Sequence, residues 1–189
     1  FGQAVKAIGE CSSKTILVGV GKSGHVASQI AASLSSVGAP SFALSANDCS
    51  HGDLGSITRK DVLVIISNSG LTEELKPILS YVNRSKITLI GITAKKNSFL
   101  YKASDIKILV KEVKEAGPGG IVPSSSIIAQ ASLGSCLVIA VMNYKKQIRL
   151  GMVGGGVDAN IGNAHRFAAR LDNRYILLAG ALSSTPERS

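Results

Sequence analysis

The sequence contains no tryptophan, and aromatic residues make up only 4% of its 189 positions, whereas hydrophobic residues make up 45% and glycine occurs 20 times. Scarce aromatics exclude the stacking surfaces on which single-strand nucleic-acid binders hold bases, and the sequence has no run of five like charges. The net charge of +9 suits either an ordinary basic surface or the capture of anionic metabolites. We do not expect nucleic acid as a partner.

Cysteine is also scarce. Cys11, Cys49 and Cys136 are widely spaced and form no C-x-x-C pair, which excludes a disulfide framework and a typical zinc site. We therefore expect a reducing, cytoplasmic environment. The most apolar stretch, residues 121–142, is interrupted by Pro123 and several serines, so it predicts a buried helix and no membrane partner.

Short β-branched runs alternate with longer amphipathic runs in most of the chain. The predicted strands are residues 15–20, 41–44, 62–67, 88–93 and 105–110. The predicted helices are residues 23–36, 72–83 and 98–103, followed by the apolar helix from about residue 123 to 142. This order predicts right-handed βαβ crossovers and a doubly wound parallel α/β sheet. Ligands of such sheets bind beyond the carboxyl ends of the strands.

The loop after the first predicted strand has the pattern Gly-x-Gly-x-x-Gly at residues 19–24. Glycines there let an anion approach the backbone, and the N-terminus of the next helix supplies N–H donors. A dinucleotide site would need an acidic residue at the end of the next strand, but Asp48 comes too late. A nucleotide P-loop would need glycine where Ile16 stands. Neither a dinucleotide site nor a nucleotide P-loop is favoured.

Hydroxyl side chains are concentrated in a second loop, residues 67–72, between a predicted strand and a helix. Ser67, Ser69 and Thr72 would converge with backbone N–H groups at the positive end of the helix dipole, which suits a phosphate monoester. The alternative is simple capping of the helix by serine and threonine. Similar junctions carry the other candidate phosphate ligands, Ser23, Ser124 and Ser125.

Four segments, in this order, resemble the SIS-domain arabinose-5-phosphate isomerases. They are GVGKSGH at residues 19–25, SHGDLG at 50–55, SNSG at 67–70 and PSSS at 123–126. The resemblance covers residues 1–143, which we interpret as one SIS sugar-phosphate isomerase domain. It implies that the protein interconverts D-arabinose 5-phosphate and D-ribulose 5-phosphate without a cofactor. It also implies a homo-oligomer, because SIS relatives commonly build sites between subunits.

An aldose–ketose isomerisation needs a base, an acid and an electrophile for the enediol oxygens. The resemblance implies that Lys22, Glu74 and Glu115 fill these roles. Glu74 has an alternative role in stabilising the first turn of a helix. His51 matches the histidine of the family's His-Gly-Asp motif, and it either touches the sugar, binds a metal or is structural. Asp53 is expected to cap a turn.

The sequence departs from the family at three points. Asp48 and Leu71 stand where the family usually has glutamate. The family also carries a histidine in a Ser-His-Pro-Gly-Gly segment after the last helix, and nothing in the sequence matches it. If that histidine belongs to the acid/base machinery, its loss removes catalysis. A noncatalytic, regulatory sugar-phosphate-binding module is therefore the alternative function.

The alternation of strand-like and helix-like runs starts again near residue 144. It predicts strands at residues 148–153 and 175–182, a tight turn at 154–156 and a helix at 163–171. This part resembles the opening of the glucose–fructose-type (Gfo/Idh/MocA) oxidoreductases, in which a glycine turn meets NAD(P). The matching glycines are Gly154, Gly156 and Gly162. We interpret residues 144–189 as an incomplete Rossmann-like unit without dehydrogenase activity. Because the chain begins at Phe1, we also expect that its first residues are missing.

Overall fold

The computed structural model describes residues 1–49, 52–146, 148–153 and 175–181. The chain divides into two compact units, Phe1–Met142 and Asn143–Ser189. The strands of the first unit are β1 Thr15–Gly19, β2 Ser41–Ser45, β3 Val62–Ile66, β4 Thr88–Thr93 and β5 Ile106–Leu109. The helices are α1 Gly2–Gly9, α2 Lys22–Ser36, α3 Ala46–Cys49, α4 Lys76–Ser85, α5 Phe99–Ala103 and α6 Ser125–Lys146.

The five strands form one parallel sheet in the order β2-β1-β3-β4-β5. The register pairs Gly19 of β1 with Ser45 of β2 and with Ile66 of β3, so these three strands end together. The strand order reverses between β1 and β3, which is where ligands of open α/β sheets bind. The predicted doubly wound fold is confirmed, and each of the five predicted strands is found to within one residue at either end.

The core lies on both faces of this sheet. Every residue of β1 and β3 is buried, because helices cover the two faces of a parallel sheet. On one face Ile16, Leu63 and Leu89 pack with Ile78 and Val82 of α4. Alternation of side chains along a strand sends the neighbouring residues to the opposite face.

Asp61 joins the amino ends of β1 and β3. Its fully buried side chain accepts hydrogen bonds from Lys14 Nζ at 3.2 and 3.0 Å, and its Oδ2 also accepts from Thr58 N at 2.6 Å. Burial alone would raise the pKa of Asp61, but hydrogen bonds from Ser13, Thr58 and Lys14 outweigh it and lower the pKa to about 2. The carboxylate therefore stays charged at the edge of the sheet opposite to the strands' carboxyl ends.

The sequence pattern does not indicate several short elements. It does not predict α1, whose buried residues Ala4, Val5 and Ile8 form too short a pattern to stand out, nor does it predict α3. The helix predicted for residues 72–83 is divided into a 3₁₀ turn, Glu73–Leu75, and α4. Other 3₁₀ turns are Asp53–Ser56 and Pro118–Gly120.

Helix α6 is buried on one face only, whereas we expected a buried helix. Gln130, Leu137 and Val141 are buried, but Ile128 and Ile139 on the opposite face are 67% and 55% exposed. By length and composition alone, α6 is the one helix of the described residues that would suffice to cross a membrane. The core helices of soluble proteins share this property.

In the second unit β6, Ile148–Val153, pairs in parallel with β7, Tyr175–Ala181. The register shifts between Leu150 and Gly151. Both strands lie where the sequence predicts strands. The predicted turn, the predicted helix and the glycines Gly154, Gly156 and Gly162 lie outside the described residues. The incomplete Rossmann-like unit therefore stays a prediction.

Candidate functional site

The first loop joins β1 to α2 in a tight turn. A Cβ on Gly19 would lie 2.5 Å from the carbonyl oxygen of Ser23, so only glycine allows α2 to start this close to the strand. Gly21 precedes the helix with φ of +57°, and its carbonyl oxygen accepts a hydrogen bond from Gly24 N at 3.0 Å. Lys22 is consequently the first residue of a helix of 15 residues, and its side chain is exposed at the carboxyl edge of the sheet.

The second loop follows β3 and is bonded to itself. Ser67 is 5% exposed, and its Oγ accepts a hydrogen bond from Gly70 N at 3.0 Å and shares one with Thr72 Oγ1 at 2.9 Å. Ser69 Oγ accepts from Leu71 N at 3.2 Å. One proton lies between Ser67 and Thr72, so the pair retains a second proton for a ligand. Ser69 is exposed and Thr72 half-buried, which makes their hydroxyls the accessible ones.

The two loops leave neighbouring strands. Gly19, the last residue of β1, is paired with Ile66, the last residue of β3. Adjacent strands lie about 4.8 Å apart, so both loops begin within the dimensions of one small ligand. Both are also followed by helical turns whose N–H groups favour an anion. The two loops thus begin side by side at the carboxyl edge of the sheet, and Lys22 directly follows Gly21 of the first loop.

Glu73 and Glu74 begin the 3₁₀ turn after the second loop, and both are exposed. Glu73 is paired with Lys76, whose Nζ lies 2.6 Å from Glu73 Oε2. Among the described residues, neither the Glu74 carboxylate nor the Lys22 ammonium has a hydrogen-bond or ion-pair partner. The Glu74 carboxylate, in the 3₁₀ turn that follows the second loop directly, is therefore free to accept a proton.

Glu115 caps helix α6. Its Oε2 accepts hydrogen bonds from Ser124 N at 2.7 Å, Ser124 Oγ at 3.2 Å and Ser126 N at 3.2 Å. Hydrogen bonds from Ser126 and Ser124 lower the pKa of Glu115 from 4.5 to about 2. A carboxylate held in this way is a weak base. The structure thus brings together Glu115 and Ser124, which the sequence predicts as separate catalytic and phosphate-binding groups, whereas Ser125 is the first residue of α6.

Ser23 makes a contact that the sequence pattern does not predict. Its Oγ donates a hydrogen bond to Oε1 of Gln130 at 3.1 Å, so the first turn of α2 is tied to α6. Gln130 is 2% exposed. The signal in the sequence is an amide inside a predominantly apolar helix, which implies a buried partner.

The other predicted residues belong to the segment between β2 and β3. His51 lies outside the described residues, so its role near the sugar or a metal stays a prediction. Asp48 and Asp53 are exposed, and Asp53 begins a 3₁₀ turn. Burial, with these two carboxylates nearby, raises the pKa of the Cys49 thiol to about 11. The described residues contain no group of three His, Cys, Asp or Glu side chains placed to hold a metal ion.

Comparison with known proteins identifies relatives of the first unit. The family model of the SIS domain matches residues 10–140. Arabinose 5-phosphate isomerase KdsD of Yersinia pestis is 38% identical over 145 residues, which make up 77% of this chain and 44% of the relative. KdsD of Escherichia coli (strain K12) is 39% identical over 135 residues, 71% of this chain and 41% of the relative. The chain thus spans less than half the length of these curated relatives.

A solved structure is similar to this chain over the same share of its length. Escherichia coli CFT073 c3406, in complex with arabinose 5-phosphate, is 34% identical and aligns with a TM-score of 0.75. The alignment covers 77% of this chain and 78% of that chain.

Proposed function

Because the chain belongs to the SIS-domain family, we propose that it interconverts D-arabinose 5-phosphate and D-ribulose 5-phosphate through an enediol. The observation that carries the proposal is the position of two anion-accepting loops at the ends of the neighbouring strands β1 and β3. The names of the KdsD relatives and the arabinose 5-phosphate complex of a 34% identical structure support this sugar. Since the chain spans 41–44% of the KdsD relatives, the activity of the whole protein is part of the proposal.

The second loop is the proposed phosphate-binding site. Ser69 and Thr72 would donate their accessible hydroxyl protons to the phosphate, and Ser67 would hold the loop in shape. The further proposed ligands are Ser23, Ser124 and Ser125. In the structure Ser23 and Ser124 already donate their protons to Gln130 and Glu115, so each would have to exchange partners to bind phosphate.

The chemistry needs no redox cofactor, because the proton and the electron pair move between C1 and C2 of one substrate. We propose Glu74 as the base that removes the C2 proton, since its carboxylate is free and lies in the turn directly after the second loop. Lys22 would stabilise the negative oxygen of the enediolate. Glu115 would serve as the second carboxylate once it leaves the α6 cap, and His51 would touch the sugar or bind a metal.

Proton exchange with solvent tests the proposal. Incubated with D-arabinose 5-phosphate in D₂O, the protein should place deuterium on the reacting carbons and form D-ribulose 5-phosphate, both visible by NMR. Lys22→Met should slow this exchange at least about 100-fold, because a charge opposite the developing oxyanion is lost. Lys60→Met changes an exposed lysine beside Asp61 and should leave the rate unchanged. Saturable binding of the sugar without exchange would refute the isomerase.

A noncatalytic sugar-phosphate-binding module is the second candidate. It is favoured by the capped state of Glu115, by the missing histidine segment, and by Leu71, which is 55% exposed where the family usually has glutamate. Calorimetry with D-arabinose 5-phosphate, read beside the exchange assay, separates the two functions.

We further propose that the protein acts in the cytoplasm as a homo-oligomer, without a nucleic acid or membrane partner. Cys11, Cys49 and Cys136 are free thiols, which suits a reducing compartment. The exposed Ile128 and Ile139 on α6 provide an apolar face for a second copy. Light scattering should give a multiple of the 19.5 kDa chain mass, and a monomer would refute the oligomer.

A further inference from the structure

Gln130 is an almost completely buried amide in a predominantly apolar part of α6. Its Oε1 accepts a hydrogen bond from Ser23 Oγ at 3.1 Å, which joins residues 107 positions apart in the sequence. A methionine or leucine would fill this space without a partner, whereas a buried amide is unfavourable unless it is hydrogen-bonded. What the amide adds over an apolar side chain is one directional contact with the first loop.

The contact lies at the start of a helix pair. A Cβ on Gly134 would overlap the side chain of Ile30, so the backbone of α6 is pressed against α2 at this point. Residues four apart share a helix face, and Gln130 and Gly134 therefore both face α2. The pairs Ser23–Gln130 and Ile30–Gly134 follow in the same order along both helices. The hydrogen bond is thus the contact nearer to the two helix N-termini.

These two N-termini carry proposed catalytic groups. Lys22 is the first residue of α2, and Glu115 is bonded to Ser124 and Ser126 at the start of α6. A displacement of α6 along α2 would change the separation of Lys22 and Glu115. Catalytic groups must be held within a fraction of an ångström, and a displacement of about 1 Å costs on the order of 100-fold in rate.

Ser23 has a single proton to donate, and in the structure Gln130 accepts it. As long as this bond is kept, the hydroxyl offers a ligand only its lone pairs, so a positioning role is the alternative to phosphate binding by Ser23. We propose that Gln130 is a positioning residue: it fixes Ser23, and through Ser23 the Lys22 end of α2, against the Glu115 end of α6. This inference rests on the proposed isomerase function.

Three variants test the role of Gln130. Gln130→Met keeps the length of the side chain but removes the acceptor, and it should lower kcat about 10- to 100-fold. KM should change less than about threefold, because the second loop is untouched. Gln130→Glu keeps an acceptor and should recover most of kcat. Gln29→Met makes the same change at an exposed position of α2 and should leave both constants unchanged.

A double-variant cycle identifies the pathway of the effect. Ser23→Ala removes the same hydrogen bond from its other partner, and it should cause the same loss of kcat as Gln130→Met. The double variant should lose no more than either single variant, because the two residues act through one contact. Ser23→Ala also keeps the proposal testable if Gln130→Met fails to fold. A normal kcat in both single variants, or additive losses in the double variant, would overturn the positioning role.

Failure of the isomerase and failure of this inference are distinguishable. If the wild-type protein binds D-arabinose 5-phosphate but does not convert it, the isomerase fails and kcat is no longer informative. The backbone amide NMR signals of Gly21 and Gly24 then report the first turn of α2. Gln130→Met should shift these signals and Gln130→Glu should restore them, whereas unshifted signals in Gln130→Met would overturn the inference.

Discussion

Replacing Asp61 with asparagine should destabilise the first unit without altering the chemistry of the site. The asparagine keeps one acceptor oxygen but turns an NH₂ group toward either Lys14 or Thr58, both of which are donors. If the oxygen stays with Thr58 at the Oδ2 position, the NH₂ group takes the Oδ1 position, and the Lys14 ammonium loses its bond at 3.2 Å. The Lys14 bond at 3.0 Å is then made to a neutral acceptor in place of a carboxylate. Hydrogen bonds to charged groups contribute roughly 1.5–3 kcal/mol each, so we expect a loss of about 3 kcal/mol at neutral pH.

The same carboxylate sets a pH dependence. The pKa of Asp61 is about 2 in the folded protein against an ordinary value of 3.8, a difference that corresponds to roughly 2 kcal/mol. Because the folded pKa is the lower one, this stabilisation is fully present above about pH 5 and is lost as the pH falls toward 2. Asp61→Asn should lack this part of the acid dependence.

Urea unfolding, followed by helix circular dichroism across this pH range, measures both effects. Asp48→Asn changes an exposed aspartate and should stay within about 0.5 kcal/mol of the wild type. Because Asp61 lies at the opposite edge of the sheet from the site, turnover per folded molecule should not change. Wild-type stability of Asp61→Asn at neutral pH, or an unchanged acid dependence, would refute the reasoning.

Three further predictions concern the site. Hydrogen-exchange NMR should show protection of the first turn of α6 decreasing between pH 4.5 and 2 as the Glu115 cap protonates. Glu115→Gln should remove this pH dependence, and Glu112→Gln should retain it. Ser67→Ala should weaken sugar-phosphate binding about tenfold in calorimetry, because Gly70 N and Thr72 lose their shared partner, whereas the exposed Ser80→Ala should bind normally. Gly19→Ala should lower the free energy of unfolding by about 1–3 kcal/mol, and an unchanged urea midpoint would contradict the close approach of α2.

The sheet and its two loops are predictable from the sequence because their signals are local. β3 is a continuous apolar run bounded by Asp61 and Ser67, which is typical of a central parallel strand. Gly19 and the following glycines mark the turn into α2 in the same way. Once the strands are placed in order, parallel pairing brings their carboxyl ends to one edge, so the position of the site follows as well.

Contacts between distant segments are not predictable in this way. The Ser23–Gln130 bond joins two helices 107 positions apart, and only the amide in an apolar run hints at it. The cap of α6 is missed for a different reason. Its carboxylate comes from Glu115, which reaches Ser124 across a loop in which Gly117, Gly119 and Gly120 all have positive φ. That geometry depends on several glycine conformations that residue identity alone does not fix.

The hydrogen bonds within the second loop affect the thermodynamics of binding. Ser67, Thr72 and Gly70 are already joined before any ligand arrives, so the conformational entropy of ordering this loop is lost during folding and not during binding. A phosphate that enters such a loop therefore binds without the entropic cost of ordering it. Mutations that loosen the loop should therefore weaken binding through an unfavourable entropy, even when they leave every atom that touches the phosphate in place.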